Sequence, residues 1–410
     1  MLSGFRQGPN IRPMLNPRLD EFTDFPFQRL RDLIADIEPP AGLEPILLSL
    51  GEPQHGPPPM IAQALAANAH LWGKYPPVEG TPELRAAIAD WLTRRYALEA
   101  GSIDADRHIV PVVGTKEALF LAGLLTVPPR LADGRTPTVI QPNPFYNVYL
   151  GAAVMAGAEP VLMPADASTG FLPDIRALSD DDWRRAAMMI LCTPSNPQGA
   201  IADTDYLAYA IEKARAHDTV LVVDECYAEI YDRAPPPGAL AVCQALGNGF
   251  DNVLVFHSLS KRSSAPGLRS GFVAGDAELI RAFKRLRNYA SPTIPVPIMA
   301  ASTALWREES HVEANRSLYR TKFDLAEQRL AGRYGFYRPA GGFFLWLDVG
   351  DGEAAARRLW REAAVRVLPG AYVSRDDENG ANPGETFIRI ALVGDAKSTS
   401  QALERLVQVL

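Results

Sequence analysis

The sequence predicts an α/β protein. A large unit carries a mostly parallel, mixed sheet flanked by helices, and a small α+β unit is joined to it. Three observations lead there. The middle of the chain alternates short continuous apolar runs with helix-like text, as strands buried on both faces alternate with crossover helices. The last two apolar runs are separated by only about ten residues, too few for a helical crossover, so the final strand is expected to run antiparallel. The C-terminal third then loses the alternation and reads as a separate mixture of strands and helices.

Taken in order, the strand candidates are HIVPVV (108–113), PTVIQP (137–142), EPVLMP (159–164), AMMILCT (187–193), TVLVVDE (219–225), NVLVFHS (252–258) and RSGFVAG (269–275). Helical text such as TDYLAYAIEKARAHD lies between them, and the proline clusters at 56–60 and 234–238 read as turns. Near the C-terminus come PAGGFFLWLDV (339–349), the helix EAAARRLWREAAV (353–365), VRVLPGAYV, TFIRIALVG (386–394) and a last helix. The text from about 16 to 50 is expected to join that end. The small unit is thus read as residues 14–55 with 305–410, the large unit as 56–304, and residues 1–13 as a flexible extension ahead of Met14.

Composition excludes several classes of protein. A chain of 410 residues with a formal net charge of −7 has ample core, and its mildly acidic balance argues against nucleic acid or a membrane surface as the main partner. No run approaches eighteen apolar residues, and the N-terminal text lacks an apolar signal core. Cys192, Cys226 and Cys243 are odd in number and lack metal-ligand spacing, which fits a reducing cytoplasm. The six histidines are scattered, so no metal site is expected.

In open α/β sheets chemistry gathers beyond the carboxyl ends of the strands, and the unusual residues fall there. After VPVV comes GTKEAL, where Gly114 and Thr115 open a helix; it reads as an anion site or as an ordinary helix cap. NPFYNVY offers Tyr146, either a ring to stack on a flat ligand or core filling. PSNPQG places Asn196 in a turn that turn chemistry alone explains. Asp224 ends the apolar run VLVVD, where a carboxylate needs a cation or donors, and a structural ion pair is the competing reading. Lys261, one of only seven lysines in an arginine-rich chain, follows NVLVFHSLS, with Arg269 in PGLRSG after it. An amine that must lose its proton and attack a carbonyl cannot be an arginine. A lysine for an aldehyde, an aspartate for a ring nitrogen, Asn196 and a tyrosine for a ring oxygen, an aromatic for the ring face, and a helix N-terminus with an arginine for a phosphate together describe one ligand, pyridoxal 5′-phosphate.

From about residue 16 to the C-terminus the chain resembles the class I/II aminotransferases of the fold-type I pyridoxal-phosphate enzymes. YPPVEGTPELR, VVGTKEAL, PSNPQG, VVDECYAEIY and SLSKRSSAPGLRSG carry the likeness. Within that group NPRLDEFTDFPFQRLRDL, SLGEPQH and VLPGAYVSRD with NPGETFIRIALV look most like the bacterial succinyldiaminopimelate aminotransferases. The resemblance implies that Lys261 carries the cofactor, Asp224 partners the ring nitrogen, and Asn196 and Tyr227 donate to the ring oxygen. It places Tyr146 over the ring and Gly114, Thr115, Lys116, Ser258 and Arg269 at the phosphate, although many relatives have a smaller polar residue in place of Lys116. Tyr75 would reach the phosphate of a neighbouring subunit, which implies a homodimer with shared active sites. Arg389 would grip the substrate α-carboxylate, with Gly51 and Asn196 on the same site, and Arg375 is a candidate for a distal carboxylate. The implied reaction passes the amino group of N-succinyl-LL-2,6-diaminopimelate to 2-oxoglutarate. Aspartate, aromatic or alanine donors, a β-lyase or aminocyclopropane-type synthase on the same fold, and a regulatory module that has kept the fold are the rival readings.

Overall fold

The computed structural model describes residues 15–377 and 379–410. The expected extension over 1–13 lies outside them. The strands are β1 (Ile46–Leu47), β2 (Ile109–Val112), β3 (Thr138–Asn143), β4 (Glu159–Pro164), β5 (Ala186–Cys192), β6 (Val220–Asp224), β7 (Val253–Ser258), β8 (Gly271–Gly275), β9 (Phe344–Asp348), β10 (Val365–Arg366), β11 (Leu368–Pro369) and β12 (Phe387–Ala391).

A seven-stranded sheet in the order β2-β8-β7-β6-β5-β3-β4 forms the centre. From β4 to β7 all neighbours are parallel. β8 runs antiparallel to both β7 and β2, as the short connection before it requires. That connection holds only the helical turn Leu259–Arg262 and the 3₁₀ turn Pro266–Leu268. β5, β6 and β7 are buried at every position because helices cover both faces. Thr204–Ala216 shows why such text becomes helix. The Asp203 carboxylate caps it by accepting from the Tyr206 N–H, Lys213 and Arg215 sit in its last turn, and Leu207, Ala210, Ile211 and Ala214 make one buried stripe.

The small sheet, β11-β12-β9, is antiparallel, and β1 pairs parallel with β10. Leu30 and Ile34 from the N-terminal segment pack with Trp346, Leu368 and Tyr372, so both ends of the chain build one core. Helix Ser310–Leu330 packs against Ala396–Val409 in this unit. The preceding helix, Val296–Arg307, buries Leu305 and Trp306 in the core of the large unit instead.

Two expectations shift. VRVLPGAYV, left without an assigned element by the sequence, gives two short strands, because the chain turns from one partner to another after Arg366. Arg269 does not begin a buried strand. It closes the turn Pro266–Leu268 in the left-handed region, φ 53°, and is exposed. Pairing begins at Gly271, where a Cβ would come within 2.4 Å of the His257 carbonyl oxygen.

Candidate active site

The carboxyl ends of β5, β6 and β7 open toward the small unit, and most of the expected residues converge there. Lys261 sits just beyond β7, in the turn Leu259–Arg262, where the Ser258 hydroxyl accepts from the Ser260 N–H. Its Nζ donates to the carbonyl oxygen of Gly51 at 2.7 Å. The amine lies 5.1 Å from the Phe343 ring centroid and 5.8 Å from that of Tyr227. Burial against these apolar surfaces presses its pKa from 10.5 down to about 8, although the residue keeps a narrow opening to solvent. Gly51 is packed closely here, since a Cβ there would strike Phe344 Cζ at 2.5 Å.

Asp224 ends β6 and is 4 % exposed. Its Oδ2 accepts from the Tyr149 hydroxyl at 2.7 Å and its Oδ1 from the Cys226 N–H at 3.1 Å. Burial raises its pKa, against the pull of the Cys226 thiol, Tyr149 and the Cys226 N–H. No cation forms an ion pair with it among the described residues, so the structural ion pair considered from the sequence is not what it makes. Tyr149 was not singled out by the sequence; its position three residues after Tyr146 in NPFYNVY, near the start of a helix, is the signal. Tyr146 stands before helix Asn147–Ala156, edge-on to Tyr149 at 5.7 Å, with burial and then the Asp224 charge raising its hydroxyl pKa.

On the side of the small unit, Arg389 of β12 is 5 % exposed. Its Nη2 donates to the Ser49 carbonyl at 2.9 Å, its Nη1 to Asn196 Oδ1 at 3.2 Å, and the guanidinium lies 4.4 Å over the Phe344 ring. Nε is buried without a partner. Burial lowers even this guanidinium to about 10, with Tyr227 opposing the shift. Asn196 thus bridges the two units. Tyr227 packs edge-on between Phe343 and Phe344, its hydroxyl pushed up mainly by burial. The sequence reading missed Ser49, Phe343 and Phe344. The paired aromatics of GGFFLW were the only hint, and they serve as core text equally well.

The anion turn takes shape between two loops. Gly114, at φ 81° and ψ 158°, precedes helix Thr115–Thr126, whose first amides have no side-chain cap. Arg269 lies against it: a Cβ on Gly114 would meet Arg269 Nη2 at 2.3 Å. The guanidinium donates to the carbonyls of Pro266 and Val113, at 2.9 and 3.3 Å. The Thr115 hydroxyl meets Cys226 Sγ at 3.1 Å, and the hydroxyls of Ser258 and Ser260 are 2.9 Å apart. The Lys116 side chain turns elsewhere: it is exposed, with Nζ 5.6 Å from the Phe25 ring centroid, while the Lys116 backbone N–H stays among the uncapped amides of the helix start. Arg375 is half-buried and donates to the Glu21 carbonyl at 3.0 Å, while its backbone exchanges hydrogen bonds with the Asn143 side chain at the end of β3. Tyr75 is fully exposed. A separate cleft, lined by Asp232, Arg233, Pro235, Pro236 and Arg338, holds none of the expected residues.

These features fit pyridoxal 5′-phosphate. A buried carboxylate lacks a cation, an amine is held near neutrality, an uncapped helix start faces an arginine, and a buried guanidinium keeps one donor free for a carboxylate.

Comparison with known proteins agrees. Residues 44–410 match the family model described as aminotransferase class I and II. The chain is 32% identical over 95% of its length to an LL-diaminopimelate aminotransferase of Desulforudis audaxviator, covering 96% of that protein. An aminotransferase structure from Neisseria meningitidis shares 41% identity at a TM-score of 0.90, covering 96% of this chain and 99% of that one. A probable N-succinyldiaminopimelate aminotransferase from Thermus thermophilus shares 26% identity at a TM-score of 0.82, covering 94% of this chain and 100% of that one. With this fold, these residues at the strand ends and these relatives, the chain belongs to the class I and II aminotransferases, fold-type I enzymes that use pyridoxal 5′-phosphate.

Proposed function

We propose that this aminotransferase takes its amino group from N-succinyl-LL-2,6-diaminopimelate and delivers it to 2-oxoglutarate, in diaminopimelate and lysine synthesis. The observation that carries the amino-acid part of the reading is Arg389: a buried guanidinium on the small unit, beside Lys261's pocket, with Nε unpartnered. A planar fork with a free donor suits an α-carboxylate.

In this reading Lys261 holds the cofactor and, once released, moves the proton between the donor's α-carbon and the cofactor. Its depressed pKa leaves a useful share of free amine near neutral pH. Bound there, the cofactor supplies a protonated ring that takes up the electron pair left at the α-carbon. Asp224 keeps that ring nitrogen protonated, and Tyr149 and the Cys226 N–H hold the carboxylate in place. Asn196 and Tyr227 donate to the ring oxygen, and Tyr146 covers the ring. Gly114, Thr115, Ser258 and Arg269 hold the phosphate. Arg375 meets a distal carboxylate. Tyr75 completes the site of a second copy, giving a cytoplasmic homodimer; the free, buried state of Cys192, Cys226 and Cys243 supports the compartment.

The Thermus relative's name supports the succinylated donor, whereas the Desulforudis relative's name favours LL-diaminopimelate itself. A half-reaction panel decides between them, following loss of the cofactor's absorbance with the succinylated donor, LL-diaminopimelate, aspartate, an aromatic amino acid and alanine. The succinylated compound should give the highest kcat/KM. Removing its distal carboxylate should cost about 2–5 kcal/mol, against about 0.8 for one methylene. Preference for free LL-diaminopimelate would select the second reading. Preference for aspartate or an aromatic donor would overturn both and leave the family assignment standing.

A further inference from the structure

Lys261 is held at two points, and both lead to the segment from Gly51 to His55. Its amine donates to the Gly51 carbonyl at 2.7 Å. Its own carbonyl accepts from Asn315 Nδ2 at 3.2 Å, and Asn315 Oδ1 lies 2.6 Å from His55 Nδ1. The Ser264 hydroxyl donates to the His55 carbonyl at 2.8 Å, tying the same segment to the loop after Lys261.

The directions of these bonds follow from the partners. Asn315 Nδ2 reaches the carbonyl oxygens of Lys261 and Arg262, at 3.2 and 3.4 Å, and both can only accept. Its Oδ1 must therefore face His55 and accept, so His55 Nδ1 carries the hydrogen. Nε2 is then a bare acceptor, and Lys322 Nζ stands 2.9 Å from it. Lys322 also donates to the Gly394 carbonyl at 2.9 Å and lies 4.3 Å over the Tyr319 ring. It is 1 % exposed, and burial presses it down to about 7 against the opposing charge of Asp395. Burial also lowers His55, with Lys322 acting the same way and Asn315 opposing. A doubly protonated His55 has no acceptor for its Nε2 hydrogen while Lys322 stands opposite as an ammonium.

We propose that Lys322, His55 and Asn315 form a donor relay of one direction, from the small unit to the Lys261 carbonyl, and are positioning residues for the reactive amine. Lys322 and Asn315 lie on helix Ser310–Leu330, and Gly394 follows β12, so the relay links the unit that carries Arg389 to the backbone of Lys261. The inference rests on Lys261 being the cofactor lysine.

The tautomer is the direct test. In holoenzyme with ¹⁵N-labelled histidine, the His55 signals, assigned by their loss in His55→Phe, should show Nδ1 protonated and Nε2 bare. The opposite tautomer, or a doubly protonated ring at neutral pH, overturns the relay. Its effect on the amine is read in Asn315→Leu and His55→Phe. The pH midpoint of the cofactor's absorbance without substrate should move by about half a unit or more. The kcat should fall about tenfold while KM stays within about twofold. Borohydride reduction and peptide mapping of each variant separate the two readings. A pyridoxyl group on another lysine refutes the active-site assignment itself. A label on Lys261 with midpoint and kcat unchanged refutes the relay alone.

Discussion

At the scale of single residues the site depends on charges that burial makes costly. Among the described residues Asp224 has donors but no cation in ion-pair contact, and in the proposed reading the ring nitrogen supplies the positive partner. Asp224→Ala should therefore lose about 10²-fold or more in kcat and hold the cofactor weakly, as expected when a preorganised electrostatic partner is deleted. Near-normal turnover in single-turnover kinetics would remove Asp224 from this role. Lys261 bears the opposite strain. In the cofactor-free protein its pKa is about 8, against 10.5 for the free side chain. Below about pH 8 both folded and unfolded chains carry the proton, and the folded chain bears the full burial penalty. Between about 8 and 10.5 the unfolded chain holds more protons here, so this residue makes stability rise with pH. Lys261→Met should thus raise the melting temperature of the cofactor-free protein at pH 7, and the gap over wild type should shrink as the pH approaches 10. A constant gap would show that the amine is not strained by burial.

At the scale of elements, the anion turn depends on a backbone conformation that only glycine takes comfortably. Gly114 has φ 81° and ψ 158°, and Arg269 occupies the space a Cβ would need. Gly114→Ala should cost about 1–3 kcal/mol of stability in urea unfolding. It should also displace Arg269 and loosen cofactor retention on dialysis. Unchanged retention would show that the phosphate is held elsewhere. The β7–β8 connection is equally specific. Because it is too short for a crossover, it returns antiparallel, and this brings Arg269 back beside Gly114 and places Lys261 in a tight helical turn.

At the scale of the whole molecule, the exposed Tyr75 stands out as a large ring that nothing among the described residues covers. In a homodimer with shared sites, mixing Tyr75→Phe with Lys261→Ala protein should form hybrids in which one site receives both substitutions and the other neither. Activity above either parent is expected. No recovery in hybrids confirmed by native mass spectrometry would show that Tyr75 serves only its own subunit.

What the sequence by itself determined is local and periodic. Continuous apolar runs identified the buried strands, and the short gap before 269 identified the antiparallel one. Polar residues directly after such runs, Asp224 and Lys261 above all, marked the candidate site at the strand ends, because the end of a buried strand leaves a charged side chain few directions in which to face. Tertiary structure decided what distant residues do to one another. Gly51 receives the amine of Lys261, Arg389 joins Asn196 to Ser49, Tyr149 braces Asp224, Lys116 turns to Phe25, and Arg269 reaches Gly114 from an exposed turn. None of these pairings leaves a periodic trace. Burial of one face repeats along an element and can be read from composition, whereas a hydrogen bond between two units depends on how their cores pack and where each loop then ends.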